Sequence, residues 1–440
     1  MSIMSTFKLP FLRKGLGIGE RVGDRSICFL TPEYPHPKTG NSGGIGTSIK
    51  NLAVGLLAQG CKVRVLVYGQ KEDAVFEEDG IIIQQINNIK LKGLSWWLTR
   101  KKIERIINQL YKEGAIDLVE APDWTGITSF IQPKKCPIVI RLNGSDTYFC
   151  HLDHRRVKWV NQFHEKRALS KADALISVSQ FTADTTNQVF EINKKFTIIP
   201  NGINTQTFVN ESNPSLHAGV SIKCSANIFS EQASRRLGGT TKQPFEKNLN
   251  LNSILYFGTL IRKKGLLELP FIFNKVVEQH PSAQLILVGR DANDIISGNA
   301  STWHMMQPLF TPAAFERVTY LGSVPYEQIK QHIHEAKVCV FPTFAEALPV
   351  SWLEAMAMQK AIVASNIGWA HEVIDDGKNG FLVHPTNHVD YAAKICRLLE
   401  NESLRNEFGI AARDKVLQKF SIKIVAQQSL AFYKKLIETK

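Results

Sequence analysis

The sequence predicts an α/β protein built of two Rossmann-like domains, each a doubly wound parallel sheet. Three observations carry that reading. The chain has 440 residues, enough for two domains of roughly 150 to 200 residues each. Short apolar runs alternate with helical segments in both halves, the signature of strand-helix units that assemble into parallel sheets. Between the halves, residues 210–250 interrupt the pattern with Ser, Asn, Gly, Thr and Gln, and the stretch is too long for a structureless loop inside a domain. The division that follows is a flexible basic segment over 1–24, a first domain over 25–209, a mobile linker or excursion over 210–250 and a second domain over 251–419.

Charge and cysteine usage narrow the setting. The formal net charge is +13, from 53 basic and 40 acidic residues. Residues 1–209 hold 28 basic and 19 acidic groups, and residues 210–440 hold 25 and 21, so most of the excess lies in the first half. That bias favours an anionic partner there, such as a membrane surface or a phosphorylated acceptor. Seven cysteines lie scattered without a CxxC pair, several inside apolar runs such as SICFL and VCVF, which is a reduced, cytosolic pattern. No continuous apolar stretch follows Lys8, Arg13 and Lys14, and no run approaches the roughly 18 apolar residues of a bilayer span. The expected location is cytoplasmic, including the inner face of the membrane.

In the first half the strand Ser26 to Leu30 runs into a Pro-rich loop, then Gly43, Gly44 and Gly46, then an amphipathic helix from about Thr47 to Ala58. Glycines opening a helix let a phosphate approach the backbone closely. A strand over Lys62 to Tyr68 and an acidic loop follow. From Ser95 the spacing predicts a helix with Trp97, Ile103, Ile106, Ile107 and Leu110 near one face and Arg100, Lys101, Lys102 and Arg105 nearby. Basic residues beside paired Trp suit an interfacial helix that would contact an anionic membrane through 90–111; a sheet-packing helix with a charged outer face is the other reading of the same pattern. The strand Ala115 to Glu120 ends in EAPDWTG, which puts Glu120, Asp123 and Trp124 at a strand's C-terminal end, where open α/β sheets carry ligands. Strands over Pro137 to Leu142, Ala174 to Val178 and Phe196 to Ile199, with helices over Gln162 to Ser170 and SQFTADTTNQVF, complete this half. His151, His154 and His164 lack a spaced partner and read as surface or helix residues rather than zinc ligands.

The second half begins with the strand Ser253 to Phe257 and the turn GTLIRKKG. Three basic residues after a strand-Gly turn sit where an anion site is expected. Strands follow at Gln284 to Val288, Val318 to Leu321, Val338 to Phe341, Ala361 to Ala364 and Gly380 to Val383. The densest stretch is VCVFPTFAEALPVSWLEAMAMQKAIVAS, residues 338 to 365. It reads as strand, Pro-containing turn, a helix of about three turns from Val350, and a second strand. Glu346 stands on the loop before the helix, where unpaired N–H groups favour a phosphate, and Glu354 lies about one turn inside. An acid beside a helix N-terminus suits a phosphorylated sugar.

The Glu-x7-Glu spacing in FAEALPVSWLEAMA resembles the donor-site signature of retaining nucleotide-sugar glycosyltransferases of the two-Rossmann-domain (GT-B) type, family 4-like, group 1. The resemblance extends through GGIG, NGSDTY, IIPNGINTQTF and GTLIRKKG. It implies that Glu346 contacts the hydroxyls of the transferred sugar and Glu354 the ribose. Pro349 has no N–H to give a diphosphate, which leaves the amides of Leu348 and Val350. Relatives carry a His where Asn143 stands, so a hydrogen-bonding role survives without protonation chemistry. They also carry an Arg where Thr259 follows Gly258, and Arg262 is the substitute cation beside Lys264. Gly44 is assigned to the donor diphosphate, and Gly43, Gly46, Asp123, Trp124 and Asp146 to the acceptor side, with a structural cap as the other role open to Asp146. Asn204 stands where an Asp is usual. The final helix, 420–440, is implied to cross back onto the first domain, the two domains facing a cleft.

The function this implies is transfer of a sugar from a nucleotide-diphosphate donor to an acceptor hydroxyl, with Glu346, Asn143 and Lys264 at the reacting centre. Lys264 would stabilise the departing diphosphate. No Asp-x-Asp occurs in the chain, so no metal and no cofactor is expected. The acceptor is a sugar, a lipid or a small metabolite, and nucleic acid is not a partner. Two alternatives stand beside this: a sugar-nucleotide epimerase of the same fold, and a non-catalytic sugar-nucleotide or membrane-binding protein.

Overall fold

The computed structural model describes residues 25–40, 42–208 and 252–440. The expected basic segment at 1–24 and the excursion at 210–250 lie outside the described residues. The first domain contains β1 (Ser26–Thr31), β2 (Lys62–Gln70), β3 (Ala74–Glu78), β4 (Ile81–Asn87), β5 (Leu118–Pro122), β6 (Ile138–Leu142), β7 (Ala174–Ser177) and β8 (Thr197–Ile198). They form one sheet in the order β3-β4-β2-β1-β5-β6-β7-β8, parallel except for β3 against β4. Around it run α1 (Gly44–Leu57), α2 (Ser95–Lys112), α3 (Asp146–Leu152), α4 (Trp159–Lys171) and α5 (Gln180–Phe190). Alternate residues of β1 enter opposite cores: Ile27 and Phe29 join one, Cys28 and Leu30 the other. Burial on both faces is why such strands read as continuous apolar runs.

The second domain holds β9 (Ser253–Phe257), β10 (Gln284–Val288), β11 (Val318–Tyr320), β12 (Val338–Phe341), β13 (Ala361–Ala364) and β14 (Phe381–Leu382), all parallel, in the order β11-β10-β9-β12-β13-β14. Its helices are α6 (Leu269–Gln279), α7 (Thr302–Met306), α8 (Pro312–Phe315), α9 (Tyr326–Glu335), α10 (Val350–Ala357), α11 (Ala370–Val373), α12 (His388–Glu400) and α13 (Glu402–Lys415). The predicted doubly wound, two-domain α/β architecture is observed. The last helix, α14 (Ile422–Glu438), packs Val425, Ala426, Leu430 and Tyr433 into the first domain's core. A Cβ at Gly55 of α1 would come 2.8 Å from Ala426 and the Ile422 carbonyl, so a glycine lets α1 and α14 touch. The two crossings between domains pair with each other: Ile203 N–H donates to Phe420 O at 2.8 Å, and Ile422 N–H to Ile203 O at 3.0 Å. Asn204 keeps the turn, its side-chain oxygen accepting from the amides of Gln206 and Thr207.

Four expectations are corrected. The acidic loop after β2 is the hairpin β3–β4, whose turn takes Asp79 (φ 52°) and Gly80 (φ 79°), the left-handed pair that a tight hairpin needs. The helix from Val350 stops at Ala357 after 8 residues, short of the three turns expected. In α2, Arg100 faces inward and donates to the carbonyls of Ile127 and Gly126, while Trp97 is exposed. Glu120 is no ligand group: it lies buried against Arg141, Nε to Oε1 2.8 Å, with Tyr433 of α14 donating to its other oxygen.

Candidate active site

In an open α/β sheet, ligands bind beyond the C-terminal ends of the strands where the strand order reverses. In the second sheet that point lies between β9 and β12, and in the first between β1 and β5. Most of the predicted site residues stand on the four loops that leave these strands. Asn143 and Asp146 follow β6 instead.

After β9 the chain turns at Gly258, whose φ of 142° is outside the ordinary range of other residues and whose missing Cβ would sit 3.7 Å from Lys264 Nζ. Gly265 (φ 73°) ends the turn, because a Cβ there would meet Pro342 O at 1.7 Å. That close approach brings the two loops of this domain together, and Phe344 and Ala345 donate their amides to Lys263 O. Lys264 Nζ then lies 2.8 Å from Glu346 Oε1. Burial pushes the Glu346 carboxyl up, but Lys264 and Lys263 outweigh it, and the net shift is down. Glu354, inside α10, is 5% exposed and accepts from Tyr326 OH at 2.6 Å. Burial raises its pKa to about 7, against the opposing effects of Tyr326 and Lys264. Two carboxyls on one loop-helix unit are therefore pushed in opposite directions, one held down by a cation and one lifted by burial.

Arg262 takes a different direction from Lys264. Its guanidinium forms a two-pronged bond with Asp294, Nε to Oδ1 2.8 Å and Nη2 to Oδ2 2.7 Å, which holds the Asp294 carboxyl well below the usual carboxylate range, with Ser297 helping. A diphosphate would have to compete with that pair. Thr259 is half-buried, and its carbonyl accepts from Tyr256 OH at 3.0 Å. Leu348 is buried and Val350 half-buried at the start of α10.

On the first domain, Gly43 and Gly44 are exposed at the head of α1. Gly46 donates its amide to Glu33 Oε1 at 2.9 Å, and a Cβ on Gly43 would meet the same carboxylate at 3.3 Å. The glycine loop thus already holds an anion of its own. Asp123 is buried, its Oδ1 accepting from Asn143 N–H at 2.8 Å. Among the described residues Oδ2 has no partner, and burial lifts the group to about 7. Asn143 turns its amide to Arg141 O at 3.2 Å. Asp146 is taken up by Asn161 and Arg155. Trp124 lies edge-on to Phe149, and Lys263 of the second domain sits 3.4 Å above that same Phe149 ring. His151 and His154 are exposed, and His164 Nδ1 lies 3.0 Å from Ser129 Oγ.

The model of the family described as glycosyl transferases group 1 matches residues 239–415, and that of glycosyltransferase family 4 matches residues 42–207. The first covers the Glu-x7-Glu loop and the second the glycine loop, so each domain is matched by its own model. The chain belongs to the group 1 glycosyltransferases. An uncharacterised glycosyltransferase of Methanocaldococcus jannaschii is 24% identical over 421 residues, 93% of this chain and 97% of that relative. Among solved structures, sucrose-phosphate synthase from Thermosynechococcus elongatus superposes with a TM-score of 0.70 at 18% identity, over 94% of this chain and 100% of the other. The Anabaena protein HepE, in complex with UDP and glucose, gives 0.67 at 19% identity over 93% and 99%. These likenesses establish the GT-B fold.

Sequence reading missed the residues by which the glycosyltransferase closes on itself. Tyr148 OH donates to Glu346 O at 2.7 Å. Ser179 and Thr182 hydroxyls lie 3.1 and 3.2 Å from Ala347 O. Asn201 donates to Leu348 O at 3.0 Å and accepts from Ser48 of α1 at 2.7 Å. The first amides of α5, on Gln180 and Phe181, donate to the Glu372 carboxylate of the second domain. Tyr148 in NGSDTY and Asn201 in IIPNGIN lie in segments already singled out, but nothing local to them names a partner some 150 to 200 residues away.

Proposed function

We propose that the protein transfers a sugar from a nucleotide-diphosphate donor to an acceptor hydroxyl with retention of configuration and without a metal. The observation that carries this is the Lys264–Glu346 pair at 2.8 Å on the loop heading α10. It puts a cation beside the expected diphosphate and a fixed carboxylate beside the expected sugar. As the sugar–phosphate bond breaks, negative charge builds on the diphosphate, and Lys264 with the amides of the loop stabilises it. Glu354 takes the ribose, releasing Tyr326 to do so. Support for a uridine donor comes from the similarly folded HepE, whose structure holds UDP and glucose. The absence of Asp-x-Asp from the sequence supports a metal-free site. Asn143 stands at the reacting centre in this reading, with Gly44 toward the donor diphosphate and Gly43, Gly46, Asp123, Trp124 and Asp146 on the acceptor side.

The test is a panel of UDP-, GDP- and ADP-sugars with and without EDTA, scored by thermal shift and by nucleotide release, with product configuration read by NMR. One nucleotide family should stabilise the protein and turn over equally in EDTA. No shift with any nucleotide would sink the reading in favour of a non-catalytic role, and a new nucleotide sugar formed without acceptor would make it an epimerase.

The same reading includes peripheral contact with an anionic membrane. Leu91, Leu94, Trp96 and Trp97 at the head of α2, and Trp159, Val160 and Phe163 of α4, are exposed. Trp96, Phe130, Phe163 and His164 link the two groups through ring contacts. Lys90, Lys92, Arg156 and Lys158 stand exposed alongside, a mix that favours anionic headgroups. No helix of the described residues is long and apolar enough to cross a membrane. Binding to phosphatidylglycerol vesicles, lost in Trp159→Ser/Phe163→Ser, is the expected result.

A further inference from the structure

The first domain grips three successive carbonyls of the donor loop, those of Glu346, Ala347 and Leu348, from three separate elements. In a trans peptide the N–H points opposite to its C=O. Holding Glu346 O and Ala347 O on the first domain therefore aims the amides of Ala347 and Leu348 away from it. Both residues are buried, at 3% and 4% exposure, and neither amide has an acceptor among the described residues. Buried N–H groups without partners are costly and uncommon, so a pair of them directly after Glu346, whose carboxylate Lys264 meets, is arranged for an anion. Pro349 ends the series, and the third grip falls on the carbonyl that precedes it.

We infer that Tyr148 and Asn201 are positioning residues: Tyr148 holds the peptide that carries the Ala347 amide, Ser179 and Thr182 hold the peptide that carries the Leu348 amide, and Asn201 fixes the far end of this run at Leu348 O, so that both amides are aimed at the donor diphosphate only while the first domain is closed on it. This rests on the donor site proposed above. Neither side chain needs to touch the donor. Tyr148 acts through the peptide between Glu346 and Ala347, and it also fixes the residue whose carboxylate meets Lys264. Asn201 is itself held by Ser48, one turn into α1, so the head of the glycine-loop helix is linked through Asn201 to the donor loop. The amides matter most when charge has built on the leaving group, so losing a grip should lower kcat more than it raises the donor KM.

The experiment compares wild type, Tyr148→Phe and Asn201→Ala in steady-state kinetics, thermal melting, and hydrogen exchange of the peptide spanning 342–353. Tyr148→Phe removes one oxygen and keeps the ring, so it is expected to melt close to wild type. Its kcat should fall about ten-fold with the donor KM within about three-fold, as for loss of one aligned bond, and exchange across 342–353 should rise while the cores stay protected. Unchanged kcat and exchange in both variants would overturn the inference. So would a fall in activity that only tracks a fall in melting temperature. If wild type binds no nucleotide, the donor-site reading fails by itself, and the exchange comparison still decides whether Tyr148 and Asn201 order the loop.

Discussion

Tyr326 donates to Glu354 across 2.6 Å, and Glu354 is the carboxyl that burial lifts to about 7. The phenol offers one hydrogen bond and no charge, so it does not compensate the ion as Lys264 does for Glu346. Between the unfolded value of 4.5 and about 7 the folded chain binds this proton more tightly than the unfolded chain. The stability it contributes is therefore present at low pH and lost as pH rises through that window. Glu354→Gln keeps an acceptor for Tyr326 and removes the titration. The variant should gain on wild type by up to about 3 kcal/mol between about pH 5 and pH 8, read as a widening difference in melting temperature. A pH-independent difference would mean that Glu354 does not titrate there.

Glu346→Ala should abolish transfer, with a loss of at least about a hundred-fold, while circular dichroism stays that of wild type. The side chain stands on a loop and meets Lys264, while the bond that ties the loop to Tyr148 is made by the carbonyl and survives the change. Turnover near the wild-type rate would contradict the donor-site assignment.

Lys264→Ala and Arg262→Ala should separate cleanly. Lys264→Ala should cost activity, by about a hundred-fold in kcat, with a small change in melting. Arg262→Ala strands the Asp294 carboxylate, whose side chain is 2% exposed, and should cost about 1–3 kcal/mol of stability. Its donor KM should move less than that of Lys264→Ala. Steady-state kinetics and urea melts of both variants check this.

Arg141→Leu should be among the most damaging single changes outside the cleft. Arg141 bonds Glu120, the Ile199 carbonyl and Ser429, and its loss leaves Glu120 buried with only Tyr433. Removing one partner of a buried pair costs about 3–5 kcal/mol. Tyr433→Phe should cost less, about 1 kcal/mol. Chemical denaturation ranks the two.

What is legible in the sequence is what burial writes locally. β1, β9, β12 and β13 are buried along their whole length, so they read as apolar runs, with Ser26, Thr31 and Ser253 only at strand ends. The hairpin β3–β4 carries its own signal, Asp79-Gly80 between the short runs AVFEE and IIIQQIN, but the acidic residues around that pair are equally those of a loop. Arg100 and Arg262 mislead for another reason. A cation's direction is set by what meets it, and the carbonyls of 126 and 127 or the carboxylate of Asp294 lie well outside any local pattern. The grip of Tyr148 and Asn201 on the donor loop is out of reach for the same cause, since hydroxyl and amide groups carry no periodicity that identifies a distant carbonyl.

The placement of α14 has a consequence for how the polypeptide is made. A chain emerging from the ribosome completes β1 to β8 long before residues 422–438 exist, and domains otherwise tend to fold as they appear. Until then the groove beside α1 stays open, and the Glu120–Arg141 pair lacks the Ser429 and Tyr433 hydroxyls that satisfy it. The first domain is thus the last to be finished. A premature stop before Val425 would spare the second domain's sheet and its Glu-x7-Glu loop, yet strip the opposite wall of the cleft of the four side chains that α14 adds to its core.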